Sequence, residues 1–572
     1  MGPIAPKDPV KKREFFYIMY EKQIFAGPSP ESPEKGICFL YQNDGRMINS
    51  AKMVGNVQDE QLLALLKNTE GFKKLVYGIG VSMINTENVK SNFVFQMYGK
   101  TDPYKSGTSI EQEITPDGVE YLIPLSEINW SEDDDIPGQI RFEFEKCGFS
   151  SSVSVRFYLN DGYKAPVFEV SDPVDMNSDV YKNLIEKSVV SLGNTERIKK
   201  VIDKTGNGEE ITVAFIGGSI TQGAGATPIN YECYPYKTFK EINEKYSLKH
   251  NVKFVKAGVG GTPSELGIVR FEKDVLNNPA SGKEPDLVVI EFAVNDAGDE
   301  TNGECYEGLV RRCLNLSSEP AVILIFSVFA DDYNLQDRLI PIGKHYDLPM
   351  VSLKNAVTEQ FYLTKATGKI ISKNQYFYDT YHPTNLGHTV MKDCLMKLIE
   401  NACADMETKG DFKVAEPYFT DEFDCINTFG RDTLDKASDT SKEYYISSFN
   451  CGSFCEKDSL LQYVEMNDEI TQTPEFPDNW KHVTGNEPLC FEAKFKLLMF
   501  VTMDSSSPEF GNADVFVDGK CVKTVNPHEV GWTHCNAMII SRNKVSEMHK
   551  VEVKMHEGDE NRNFTILAIG IC

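Results

Sequence analysis

The chain has 572 residues, 41% of them apolar and 25% charged; this is several times the length that one hydrophobic core serves, and the composition excludes wholesale disorder, collagen-like repeats and coiled coil. A net charge of −26 repels phosphate backbones and anionic lipid, so no nucleic acid and no membrane surface is expected as a partner, and the acidic balance reads as a solvated surface. No run approaches the ~20 consecutive apolar residues of a membrane span. Nothing in the composition sets the oligomeric state.

At the start, 15–20 (FFYIMY) is followed at once by Glu21 and Lys22, too short for a secretory apolar region and without a small-residue cleavage site behind it. A cytoplasmic location is expected, or a secreted one if the chain is a trimmed mature form. Residues 1–172 read as a β-sandwich domain. In 139–146 (QIRFEFEK) Ile140, Phe142 and Phe144 share one face by period-two alternation, and 152–160 (SVSVRFYLN) alternates Val153, Val155, Phe157 and Leu159. The short turn 147–151 between them predicts a hairpin, and 92–99 and 121–124 add strands. The acidic run 132–135 lacks the ligand spacing of a calcium loop and reads as a solvated loop.

From 173 to 410 the texture changes. Short apolar strands at 211–216, 253–257, 286–292 and 321–327 alternate with helical stretches, as in a parallel sheet covered on both faces. An amphipathic helix over 389–400, with Val390, Cys394, Leu395 and Leu398 at helical spacing, closes this α/β domain. Residues 411–572 return to strands, at 514–518, 549–555 and 564–571, predicting a second all-β domain. The 14 cysteines are scattered apart from Cys451 and Cys455, and in so large a chain they read as reduced, mostly buried thiols. No second pair stands at zinc-finger spacing and His528 and His534 lie far along the chain, so no metal site is expected.

The segment 211–225 (ITVAFIGGSITQGAG) runs an apolar strand directly into Gly217-Gly218-Ser219, and the carboxyl end of a parallel strand is where α/β proteins place their sites. A phosphate loop would need GxxxxGK[ST] spacing, which is missing; a serine nucleophile in a tight turn fits instead. Asp379-Thr380-Tyr381-His382-Pro383, just before the last helix, sets an acid and a base three residues apart, so that the carboxylate can hold the imidazole Nδ1 proton while Nε2 faces a hydroxyl. His388, after Gly387 at the helix start, reads as structural. Two further strand-end loops, 257–262 (AGVGGT) and 293–296 (AVND), could supply donors to a developing oxyanion.

Together these four blocks resemble the SGNH, or GDSL-like, hydrolase superfamily over 173–410, although the first reads GGSI where GDSL is commoner and the third AVND where GxND is commoner. The resemblance implies a flavodoxin-like parallel-sheet catalytic domain, here flanked by N-terminal and C-terminal all-β (β-sandwich or jelly-roll) domains. It implies Ser219 as nucleophile, Asp379 and His382 as its partners, and an oxyanion hole from the N–H groups of Ser219 and Gly261 and the Asn295 side-chain amide.

Within the superfamily the GGSITxG form with flanking β domains looks like bacterial carbohydrate acetyl esterases. The expectation is a serine esterase that removes O-acetyl groups from plant oligosaccharides or polysaccharides such as xylan or mannan fragments through an acetyl-enzyme, without metal or organic cofactor. The alternatives are a short-chain lipid esterase, lysophospholipase or thioesterase, and a carbohydrate-binding protein without turnover. The loops 223–232 and 298–306 are small, polar and glycine-rich, suited to a hydroxylated leaving group beside a shallow acyl pocket. Trp480 and Trp532 are the candidate sugar platforms, with a core or hairpin position as the plainer reading for each, as for Trp130.

Overall fold

The computed structural model of the chain describes residues 13–29, 32–42, 45–281, 283–298, 300–407, 409–410, 413–464 and 473–572. The N-terminal domain is built of a pair of antiparallel sheets that face one another. One is ordered Phe15–Phe25, Ser150–Leu159, Val76–Ile84, Tyr121–Pro124; the other Gly27–Pro28, Gly36–Tyr41, Asp134–Phe144, Ser91–Gly99, Ser109–Ile114. The apolar sides of Ile140 and Phe142 on one sheet and of Val153, Val155 and Phe157 on the other meet in a single core, with Phe95 stacked on Phe157 across it.

The two alternating strands expected to form a hairpin therefore lie in different sheets: Asp134–Phe144 pairs with Gly36–Tyr41 and Ser91–Gly99, whereas Ser150–Leu159 pairs with Phe15–Phe25 and Val76–Ile84. Alternation reports that one face is buried, and burial by face-to-face packing leaves the same pattern as pairing edge to edge. The acidic run is also more than a solvated loop. Asp133 accepts from the Thr101 N–H at 3.1 Å, and Asp134 opens a strand and accepts from the Thr108 N–H and hydroxyl.

A six-stranded sheet forms the centre, ordered Val189–Ser191, Met350–Ser352, Ala321–Phe326, Leu287–Glu291, Thr212–Gly217, Lys253–Gly258. All its pairs are parallel except the one made by Val189–Ser191. Val213 and Phe215 face the helices Asp179–Lys187, Tyr234–Lys245 and Asn385–Ala404, while Ala214 and Ile216 face Ser264–Phe271 and Glu304–Leu314. From Thr212–Gly217 the chain goes out to the edge strand Lys253–Gly258 and returns to Leu287–Glu291 on the opposite side. The carboxyl ends of these three neighbours thus flank a topological switch point, where loops diverge and leave a crevice.

The C-terminal domain is an antiparallel sheet built on two long strands, Leu489–Asp504 and His534–Met555, paired from Leu489↔Val553 to Asp504↔His534. Only the end of the second is legible from periodicity. One face of the sheet buries Phe491, Phe495, Phe500 and Trp480; residues of the same strands, Met499, Val501, Met503 and Cys535, share a core with Leu266, Val269 and Leu309 of the central domain. The two domains are joined by common apolar packing, not by a linker alone.

Two expectations fail here. Trp480 is 1% exposed and packs against Phe449, so it is a core residue and no sugar platform. The cysteines are not all thiols: Cys425 and Cys572 form a disulfide with Cα atoms 5.4 Å apart, brought together by the Asn427↔Ile571 register across 147 residues of sequence, a closure no local spacing announces. Of the free ones, Cys233, Cys305, Cys313, Cys394 and Cys535 are buried and Cys403, Cys455 and Cys521 exposed. Among the described residues no helix is long and apolar enough to cross a membrane, and no group of His, Cys, Asp and Glu side chains is set to hold a metal ion.

Candidate active site

Ser219 stands where the fully buried strand Thr212–Gly217 ends and a one-turn helix, Ser219–Gln222, begins. The turn is held from below by Arg270, itself buried and paired with Asp274 at 2.9 Å, whose guanidinium donates to the Gly217 carbonyl at 2.9 Å. At Gly218 a Cβ would fall 2.1 Å from Asn295 Oδ1. Only glycine lets the loop after Leu287–Glu291 close on this turn, and that closure brings Asn295 beside Ser219.

The imidazole of His382 lies between Ser219 and Asp379. Its Nε2 is 3.0 Å from Ser219 Oγ and its Nδ1 is 2.9 Å from Asp379 Oδ2. Asp379 Oδ1 also accepts the N–H groups of Tyr381 at 2.8 Å and His382 at 2.9 Å, so one carboxylate shapes the loop and orients the ring. With Nδ1–H donated to that carboxylate, Nε2 is the free base facing the serine hydroxyl. Asp379 is 5% exposed. Burial alone would raise its pKa, but the charge interaction and hydrogen bond with His382, the charge of Lys22 and the backbone donors outweigh burial and hold the carboxyl far below the usual range.

The loop 257–262 faces this pair. Its Thr262 hydroxyl donates back to Val259 O at 2.8 Å, and a Cβ on Gly260 would lie 3.8 Å from Ser219 Cβ. Gly261 has φ +71° with Trp532 pressed against it, 2.9 Å from where a Cβ would stand, a conformation and a contact that both call for glycine. Asn295 Oδ1 is buried without a partner. The next residue, Asp296, is fully buried and accepts from the Ser264 N–H at 2.8 Å and hydroxyl at 3.0 Å, tying the third loop to the start of the helix that follows the second.

Every residue of the predicted set except Trp480 is therefore gathered at one end of the central sheet. Trp532, 43% exposed, lies edge-on to His534 with ring centres 4.6 Å apart and forms a rim beside Gly261. Of the two loops expected around Ser219, 223–232 is in place, since a Cβ on Gly225 would touch His382 at 3.0 Å. The other is not what its composition suggests: Asp299 lies outside the described residues, and Cys305 and Tyr306 are buried in the helix Glu304–Leu314. His388 is fully buried, accepting from Tyr234 N–H and contacting Ala224 O, each at 3.2 Å, a structural histidine.

Three neighbours of the site have no sequence signal because each comes from a distant β domain. Lys22 donates to Tyr378 O at 3.0 Å. Gln462 donates to Gly260 O at 2.6 Å, and His534 Nε2 lies 3.1 Å from Gly261 O. Burial brings His534 down to about 4, so it is neutral near pH 7 and its Nε2–H is the donor.

Residues 215–390 match the GDSL-like Lipase/Acylhydrolase family. No curated protein matches the chain. Among solved structures, a two-domain esterase (CEX) active on acetylated mannans is similar, at 24% identity and TM-score 0.55, over 68% of this chain and 97% of that one. The same esterase co-crystallized with mannopentaose gives 24% identity and TM-score 0.54 over the same shares. The family match begins in the strand that leads to Ser219 and ends in the helix that follows His382, and the central domain of this chain belongs to the GDSL-like lipase/acylhydrolase, or SGNH, family.

Proposed function

We propose that the chain is a serine esterase that removes O-acetyl groups from oligosaccharides or polysaccharides through an acetyl-enzyme. The observation that carries this reading is the line Ser219 Oγ, His382, Asp379, with contacts of 3.0 and 2.9 Å in a crevice flanked by two further donor loops. Ser219 Oγ attacks the ester carbonyl while His382 Nε2 takes its proton, and Asp379 keeps the imidazole in the required tautomer and balances its charge. The tetrahedral oxyanion is received by the N–H groups of Ser219 and Gly261 and by the Asn295 amide, donors of a kind worth about 10²–10³ in kcat each. His382 then protonates the departing sugar hydroxyl, and water, deprotonated by His382, releases acetate and restores Ser219.

The sugar leaving group is supported by the small, polar 223–232 loop against His382, by the exposed Trp532 rim, and by a fold shared with an esterase active on acetylated mannans. A long acyl chain would need an apolar groove gaining ~0.8 kcal/mol per methylene, and that loop offers little of it. The test is acetate release from acetylated xylan, mannan and pectin oligosaccharides, with the position followed by NMR, beside aryl acetate and aryl octanoate. Acetate should be cleaved far faster than octanoate, and Ser219→Ala should lose about four to six orders of magnitude of turnover while staying folded. Efficient octanoate hydrolysis would move the assignment to lipid esters; an active Ser219→Ala would remove it.

A further inference from the structure

The peptide that carries the Gly261 N–H is the link between Gly260 and Gly261, and neither residue has a Cβ to restrict rotation of that peptide plane. A trans peptide points its C=O and N–H in opposite directions, so whatever holds the Gly260 carbonyl also sets the direction of the Gly261 N–H. In this structure the Gly260 carbonyl accepts from the Gln462 side-chain amide at 2.6 Å.

Gln462 is 9% exposed and is itself fixed, because its Oε1 accepts the Cys535 N–H at 2.8 Å. One end of the amide meets a carbonyl and the other an N–H, so only one orientation of the group satisfies both. The carbonyl on the other side of Gly261 is held by His534 Nε2 at 3.1 Å. Both grips come from the C-terminal domain, 202 and 273 residues away in sequence.

We propose that Gln462 is a positioning residue for the reaction: by holding the Gly260 carbonyl it keeps the Gly261 N–H turned into the oxyanion hole, so that the C-terminal domain completes the catalytic machinery of the central one. A hydrogen bond to the carbonyl also polarises the same peptide and strengthens its N–H as a donor. Without it the Gly-Gly peptide is free to rotate, and one donor to the transition state is lost for a fraction of the time. The inference rests on the proposed function, in which Gly261 serves the oxyanion.

The test uses the full chain and a small aryl acetate, whose leaving group is not a sugar. Gln462→Met keeps length and bulk but cannot donate. It should lower kcat about tenfold to a hundredfold, less than or equal to removal of a whole donor, with KM changed less than about threefold. Binding of an aryl boronic acid, which forms a tetrahedral adduct on Ser219, should weaken by a similar factor, a readout that loosened domain packing with an unchanged hole would not give. If Gln462→Met does not fold, Gln462→Glu, whose ionised carboxylate retains the acceptor for Cys535 N–H and has no donor, is measured in the same way at about pH 9, above the range in which a buried carboxyl keeps its proton and donates it. A folded variant with kcat within about twofold of wild type, or with only KM raised, overturns the proposal. Ser219→Ala is assayed alongside: if it is inactive while the Gln462 variants are unimpaired, this inference alone fails, and if it is active the reading of the site fails.

Discussion

Lys22, on the first strand of the N-terminal sandwich, caps the back of the catalytic loop: its Nζ donates to the Tyr378 carbonyl at 3.0 Å and lies 3.7 Å from the centre of the Tyr378 ring. The next residue is Asp379, and the two charges act on each other. Burial brings the ammonium down to about 8, with Asp379 drawing it the other way. A cation behind the carboxylate disfavours a second positive charge on the imidazole in front of it.

Lys22→Met should therefore move the acidic limb of the kcat/KM profile to higher pH, since protonation of His382 becomes easier and the free base is lost sooner. Lys22→Arg should restore the wild-type profile. Because the lysine loses its charge above about pH 8, wild type and Lys22→Met should converge by about pH 9 and differ most near pH 6. Parallel profiles at all pH values would show that Lys22 acts only as a strut.

His382 and His388 should fail differently. His382→Ala removes the base and abolishes turnover. His388→Ala leaves the Tyr234 N–H and the Ala224 carbonyl buried without partners, at about 1–3 kcal/mol each. It should lower Tm by roughly 5–10 °C with kcat at 25 °C changed only a few-fold. Thermal melts beside initial rates decide this.

Glu291 ends the strand beside Thr212–Gly217, fully buried, with Thr221 3.5 Å away. Burial raises its pKa to about 7, so the folded protein binds a proton that the unfolded chain releases near pH 4.5. Its contribution is favourable below that pH and is lost as pH rises through about 7. Glu291→Gln should thus gain stability relative to wild type between about pH 4.5 and 7.5, on the order of 3 kcal/mol, readable as a Tm difference that grows with pH. A constant difference would mean that the carboxyl ionises normally.

Trp532 separates substrate contact from chemistry. Trp532→Ala should raise KM for acetylated oligosaccharides about tenfold, the size of one lost aromatic contact, while changing aryl acetate kinetics less. Equal losses on both substrates would place the ring among the supports of Gly261 instead of on the sugar.

The amino-acid sequence alone determined whatever depends on neighbours along the chain. Apolar runs marked the four main parallel strands to within a residue or two, Gly217-Gly218-Ser219 marked the turn, and the three-residue step from Asp379 to His382 already set acid against base, because a short loop has few ways to arrange them. Only tertiary structure decided what depends on closing long loops. Whether 139–146 and 152–160 pair or face each other, which of Trp480 and Trp532 is exposed, and that Cys425 meets Cys572 all follow from sheet order and register, which leave no mark in local periodicity. Lys22, Gln462 and His534 belong to the same class: an isolated lysine, glutamine or histidine carries no pattern, and each acquires a role only through contacts made across domains, Gln462 and His534 because the C-terminal sheet shares an apolar core with the central domain and Lys22 because it reaches the Tyr378 carbonyl.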